Sequence, residues 1–233
     1  MSSGGFDPSS YIGPDEPLAR FVLFSSHVRA DGSVKPDLFI PTLNVERDTL
    51  ETSSTRYDSL SDAEIWQRGE AVAAENEKEL LGRSDVEAAA HRNAGLSISP
   101  DPQPNDPQHV NVVDWPNEKA AQKMLATLIS ENRYAKARHE ISNSEAVNYI
   151  DRIVVVKGMI TQARRDIKNN VILSFDSGES ASALAIKIKK IAAEAFNYDP
   201  LTLKNRVISV LAKVLQTGGA LQLEVNAEQQ ISF

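Results

Sequence analysis

The sequence has no cysteine among its 233 residues. Disulfide bonds and thiolate zinc sites are therefore excluded, and we expect a protein of a reducing, cytoplasmic environment. Aromatic residues are also scarce, at 6% of the chain. No apolar run approaches the length of about 20 residues that a membrane-spanning helix needs, so no membrane partner is expected.

The net charge of −7 is unevenly distributed along the chain. Residues 141–233 contain 11 Lys and Arg against 9 Asp and Glu, whereas residues 1–140 contain 14 against 23. The two parts differ in the sign of their net charge, which favours a domain boundary near residue 140. Only the C-terminal part is electrostatically suited to bind nucleic acid.

These patterns divide the chain into three expected parts. The polar N-terminus, which has no signal region, predicts a disordered arm at residues 1–16. An α+β domain of unknown activity is expected at 17–135, and a second domain at 141–233.

The second domain has five strand-like runs, each with one apolar face. These runs are Asp151–Gln162, Asn170–Asp176, Ala183–Lys189, Arg206–Gln216 and Leu221–Asn226. A short helix is predicted at Ile191–Phe196, between the third and fourth strands. Gly158 within the first run indicates a bulge or bend. Together these features predict a small closed β-barrel of the OB type.

This part of the sequence resembles bacterial OB-fold nucleic-acid-binding domains. The matching stretches are Glu145–Ile150, Val154–Ile160 with Gly158 inside it, Asn170–Phe175 and Gly219–Ile231. The resemblance implies binding of single-stranded DNA or RNA. The candidate contacts are the outward basic residues of the barrel: Lys157, Arg164, Arg165, Lys168, Lys187 and Lys189.

The first domain mixes short strands with three helices. Strands are expected at Leu18–Val28, Val34–Ile40 and Thr49–Tyr57. Two sequences of the capping-box type predict helices at Asp62–Asn76 and Asp85–Ala94. A third helix is expected from Asn117 to Tyr134, with its apolar stripe on Ala120, Ala121, Met124, Leu125, Leu128 and Ile129.

His109 is the best candidate for a chemical role in this domain. It follows a proline-rich loop, and Asn111 lies on the same side of the predicted strand. With Arg56 and Arg83 as cations, these residues could serve metal-independent phosphodiester cleavage. The pair His109–Asn111, followed by Trp115-Pro116, resembles a signature of an uncharacterised bacterial family, which implies no activity.

Three functions thus remain open. The leading prediction is a nucleic-acid-binding protein that uses its C-terminal barrel, with the N-terminal domain as a partner or regulatory module. The alternatives are a small nuclease centred on His109, and an assembly protein whose barrel docks another subunit or a second copy. No metal site and no cofactor is expected, because the histidines show no metal-ligand spacing.

Overall fold

The computed structural model describes residues 11–57, 60–175 and 184–233. The fold is α+β, with a sheet and helices in the N-terminal part and a closed five-stranded barrel in the C-terminal part. Two compact units are present: the first contains the chain up to His27 and Val34–Ala135, the second Val28–Ser33 and Lys136–Phe233. No helix of the described residues has the length and apolar character to cross a bilayer. Residues 1–10 of the expected arm lie outside the described residues.

The first unit is built on an antiparallel sheet with the strand order β4-β1-β3-β6-β5, and β2 pairs with β3. The strands are β1 (Pro17–Val22), β2 (Thr42–Asn44), β3 (Thr49–Arg56), β4 (Gly82–Glu87), β5 (Ser97–Pro100) and β6 (His109–Val113). The helices are α1 (Asp62–Glu75), α2 (Ala88–Asn93) and α3 (Lys119–Ser130), and two 3₁₀ turns occur at Ser25–His27 and Pro36–Phe39. Helix α1 begins at the predicted capping box, in which Ser61 and Glu64 satisfy each other's main-chain amides.

The helix predicted at Asp85–Ala94 is present but begins at Ala88, because the second sequence of the capping-box type, Ser84–Glu87, belongs to strand β4. All six residues of β4 pair with β1, so the main-chain groups on that edge of the strand form hydrogen bonds in the sheet. Arg83 is only 2% exposed and lies against the rings of Tyr57 and Trp66. Tertiary pairing therefore overrides the local helix signal.

Two further predictions for this unit are wrong in detail. The segment predicted as the strand Val34–Ile40 contains a 3₁₀ turn that begins at Pro36, whose fixed φ suits a helical start. In α3 the buried side chains include Ala126 and Ile129, whereas Met124 and Leu128 of the predicted stripe are 59% and 56% exposed.

The barrel of the second unit closes in the order β8-β9-β10-β12-β11 and back to β8. Its strands are β8 (Ile153–Arg165), β9 (Val171–Phe175), β10 (Ala185–Ile188), β11 (Val207–Thr217) and β12 (Ala220–Val225). The short strands β7 (Glu140–Ser142) and β13 (Ile231–Ser232) extend it, and 3₁₀ turns occur at Asn143–Tyr149, Pro200–Leu203 and Glu228–Gln230. Helix α4 (Lys190–Glu194) lies between the third and fourth barrel strands, as predicted. The predicted strand ends at Asp176 and Ala183 lie outside the described residues.

The apolar face predicted for each barrel strand fills the interior. Gly158 lies where a Cβ atom would meet Cδ1 of Phe175 at 2.8 Å, so the glycine admits the buried ring. A register irregularity occurs between Ile160 and Gln162, whereas Gly158, where the bulge or bend was predicted, pairs in regular register with Ile208. The irregularity reverses which side chains of β8 point out of the barrel. Gln162 and Arg164, which follow it in the strand, are therefore exposed.

Candidate functional site

One row of side chains crosses three neighbouring strands on the outer surface of the barrel. Ile172 of β9 pairs in register with Arg164 of β8 on one side and with Lys187 of β10 on the other. Two strand spacings, about 10 Å, therefore separate the backbones that carry the two cations. Within the described part of the chain, neither Arg164 nor Lys187 makes an ion pair.

Two further cations lie beside this row. Lys168 is exposed in the loop between β8 and β9. Lys189 directly follows β10, and its Nζ lies 3.7 Å from a carboxylate oxygen of Glu224. Such an exposed pair contributes little stability and does not withdraw the cation from a competing phosphate. Arg164, Lys168, Lys187 and Lys189 are together called the barrel strip.

The remaining two predicted contacts lie elsewhere on the barrel. Lys157 pairs in register with Ser209 of β11, and its Nζ lies 3.6 Å from Glu140. Arg165 neighbours Arg164 in sequence but projects from the opposite side of β8, because side chains alternate along a strand. Its guanidinium lies 3.5 Å from Asp199.

A second candidate site is a cavity of about 570 Å³ in the first unit. It forms where two strands diverge, since β1 pairs with β3 at only two residues but with β4 along its whole length. Arg20, the next residue of β1, fills part of the gap and donates from Nη1 to the main-chain carbonyl of Ser53 at 2.7 Å. We call this space the fork cavity; its lining includes Arg20, His27, Glu51, Asp101, Asp106, His109 and Asn111.

His109 and Asn111 meet Asp101 at one part of the fork cavity. Nδ1 of His109 lies 2.8 Å from the main-chain oxygen of Asp101 and therefore carries a proton, since a carbonyl oxygen can only accept. In the neutral ring Nε2 is then the acceptor, the position from which a histidine removes a proton. Asn111 donates to the Asp101 carboxylate at 3.0 Å, and Arg47 donates to it at 2.6 Å. The hydrogen bond from Arg47 is the main reason that the pKa of Asp101 is lowered.

Asp106 is the buried carboxyl group of the fork cavity, at 3% exposure. Thr55 donates its hydroxyl to one carboxyl oxygen, and the main-chain amide of Gln108 donates to the other at 3.2 Å. Burial nevertheless raises the pKa of Asp106, because it penalises the charged form more than these contacts stabilise it.

Arg56 and Arg83 do not line the fork cavity. Nη2 of Arg56 donates to Glu16 at 3.0 Å, and Arg83 pairs with Asp62 at 2.6 Å. The structure therefore brings His109 and Asn111 together but separates them from the two cations considered with them. Among the described residues, no group of three or more His, Cys, Asp and Glu side chains is arranged to hold a metal ion.

Arg20, like Asp101 and Asp106, is a cavity residue that the sequence patterns did not single out. The signal was present, since this arginine lies between Ala19 and Phe21 in an otherwise apolar run. A charged residue inside an apolar strand needs polar partners. Main-chain carbonyls exposed at a strand divergence can supply them.

No protein-family model matches this chain, and no curated protein matches it. The resemblance of the N-terminal part to an uncharacterised bacterial family therefore has no support from either comparison.

Several solved structures are distantly similar to the chain. A murine DNA-binding protein bound to double-stranded DNA is 12% identical, covers 90% of this chain and 93% of its own, and has a TM-score of 0.28. A HINb domain is 7% identical, covers 82% and 87%, and has a TM-score of 0.31. A Leishmania major Friedlin protein assigned as an aspartyl-tRNA synthetase is 14% identical over 40% of this chain, with a TM-score of 0.28. The match covers 20% of the synthetase. The TM-scores of all three structures are so low that the similarities carry no weight for function.

Proposed function

We propose that the chain binds single-stranded nucleic acid, DNA or RNA, on the outer face of its C-terminal barrel. The observation that carries the proposal is the row formed by Arg164, Ile172 and Lys187 across three adjacent strands. The second and third strands of OB barrels, with the loop between the first and second, are the surfaces that bind oligonucleotides in that fold. Lys168 lies in the corresponding loop here.

Contacts to phosphate should dominate over contacts to bases. The outward residues of this face are Gln162, Ser174, Ala185 and Gln222 in one row, and Arg164, Ile172, Lys187 and Glu224 in the next. None of them is aromatic, so the stacking platforms of many single-strand binders are absent from these two rows. Binding should therefore depend strongly on salt and little on sequence.

The test is fluorescence anisotropy of labelled single-stranded oligonucleotides of about 16 nucleotides, DNA and RNA, with the full chain. Affinity should fall with salt by a logarithmic slope of roughly −0.7 for each phosphate contact. A duplex of the same sequence is the control and should bind more weakly, because the strip follows one backbone only. Lack of binding to either single strand at low salt would contradict the proposal.

One observation favours docking of another protein as a second candidate function of the barrel. Met159 and Val207 are cross-strand partners on the outer surface, and they are 48% and 52% exposed. Exposed apolar side chains that form a contiguous patch mark sites of interaction with other proteins. The substitution Met159→Lys should abolish self-association in sedimentation velocity if the partner is a second copy. It should leave oligonucleotide binding unchanged, which separates the two functions.

A further inference from the structure

The fork cavity contains a cation without a compensating anion. The guanidinium of Arg20 donates from Nε to the carbonyl of Leu38 at 3.1 Å and from Nη1 to that of Ser53 at 2.7 Å. No carboxylate of the described residues pairs with it. Arginine has five N–H donors, so these two bonds leave three for another partner.

Burial leaves this cation charged but poorly solvated. It lowers the pKa of Arg20 to about 10, which is still well above neutral pH. A partly desolvated charge without a counter-ion is unfavourable, and a bound anion would relieve that cost.

His27 lines the same cavity, with its ring centroid 5.2 Å from that of Phe24. Its Nδ1 atom is buried and has no hydrogen bond among the described residues. Burial lowers the pKa of His27, and the neighbouring charge of Arg20 lowers it further; Asp37 acts in the opposite direction and Lys35 in the same one. A negative group beside Arg20 and His27 would satisfy both side chains at once.

The carboxylates of the cavity are already engaged with other groups. Glu75 accepts a hydrogen bond from Nδ2 of Asn105. Glu51 accepts from Asn44 at 3.0 Å and from Thr49 at 2.7 Å. The Asp101 carboxylate is held by Arg47 and Asn111, and that of Asp106 by Thr55 and a main-chain amide. The unused polar capacity of the lining therefore includes the donors of Arg20, one ring nitrogen of His27 and the Nε2 acceptor of His109.

We propose that the fork cavity binds a small organic anion, whose carboxylate or phosphate group is held by Arg20 and His27. A hydroxyl group elsewhere on the ligand would donate to Nε2 of His109. The volume of about 570 Å³ falls within the range of small-molecule sites in proteins. This site is separate from the barrel strip and does not depend on nucleic-acid binding.

Isothermal titration calorimetry on the full chain tests the proposal. The probes are lactate and malate as hydroxycarboxylates, glycerol 3-phosphate as a phosphate ester, and glycerol as the uncharged control. At least one class of anion should bind and glycerol should not, and the preferred class identifies the anionic group. Arg20→Gln should weaken binding by roughly tenfold or more, as expected when a charge-assisted hydrogen bond is lost.

Two matched variants make the result decisive. Arg92 also donates to a main-chain carbonyl, that of Ile12 at 2.7 Å, but does not line the cavity, so Arg92→Gln should bind as the wild type does. His27→Gln makes no change to the carbonyl contacts of Arg20 and should weaken binding even if Arg20→Gln fails to fold. The proposal is overturned if none of the three anions binds, or if His27→Gln and a folded Arg20→Gln both retain wild-type affinity.

Discussion

The carboxylate of Asp31 accepts a hydrogen bond from Nδ2 of Asn226 at 2.8 Å, although 195 positions separate the two residues. The same carboxylate accepts from the hydroxyl of Ser33 at 2.6 Å, and the main-chain oxygen of Asp31 accepts from Gln230. These contacts make the segment Val28–Ser33 part of the barrel unit. Experiments on the barrel should therefore use the full chain, because a fragment that begins near residue 140 lacks this segment.

Replacing Asp31 with Ala should lower the free energy of unfolding by roughly 1–3 kcal/mol, since it leaves the half-buried donors of Ser33 and Asn226 without this acceptor. Burial acts to raise the pKa of Asp31, but hydrogen bonds from Ser33 and Asn226 outweigh it, and the net pKa is lowered. A lowered carboxyl pKa stabilises the fold above the unfolded-state pKa of about 3.9, and the effect is lost as the pH falls below it. Urea unfolding should show a smaller difference between wild type and variant at acidic pH than at pH 7. The exposed Asp15→Ala is the control, and an equal effect of both substitutions would contradict the assignment.

Gly158→Ala should destabilise the barrel by roughly 1–3 kcal/mol through overpacking. The added methyl group would meet Phe175 at 2.8 Å and Oδ1 of Asn143 at 3.1 Å, and the Phe175 ring is only 1% exposed. Gly13→Ala is a suitable comparison, since no heavy atom lies within 4 Å of the Cβ position there. Chemical denaturation measures both variants. An unchanged midpoint for Gly158→Ala would show that the close approach of the ring is not required.

His91 should make the first unit sensitive to acid. It is 1% exposed, and neither ring nitrogen has a hydrogen-bond partner among the described residues. Burial, with smaller contributions from the charges of Arg133 and Arg20, lowers its pKa from 6.5 to about 4. Because the unfolded chain binds this proton more readily, the contribution of His91 to stability falls as the pH drops from 6.5 towards 4.

The substitution His91→Leu removes this proton uptake. Thermal unfolding should therefore show that the variant gains stability relative to wild type between pH 7 and pH 5. The exposed His139→Leu serves as the matched control and should show a smaller gain. The account fails if the difference between His91→Leu and wild type does not change with pH.

The barrel could be predicted from the sequence because each strand has one apolar face with a two-residue period. Leu221, Leu223 and Val225, for example, alternate with polar residues and are all buried. The first unit was harder to predict, because Ser84–Glu87 fits a helix start locally. The conformation of this segment is decided by its pairing with β1. That strand lies more than 60 residues earlier in the chain, so no local sequence pattern includes it.

The candidate sites were predictable only in part for a similar reason. Arg164 and Arg165 are adjacent in sequence, but the register irregularity after Ile160 decides which of them shares a face with Lys187. His109 and Asn111 lie on the same side of β6, as expected, and both line the fork cavity. The position of Arg20 in the same cavity follows from the divergence of β1 and β3, which is a property of the whole sheet.

The measurement that tests the central claim most directly compares two charge-matched double variants in oligonucleotide binding across a salt series. Arg164→Gln/Lys187→Gln removes two cations of the barrel strip, and Lys157→Gln/Arg165→Gln removes two barrel cations outside it. The first should flatten the logarithmic salt slope for a single strand by roughly 1.4, at about 0.7 per lost phosphate contact, and the second should leave it near the wild-type value. Equal flattening by both variants, or no change in either, would contradict binding at the barrel strip.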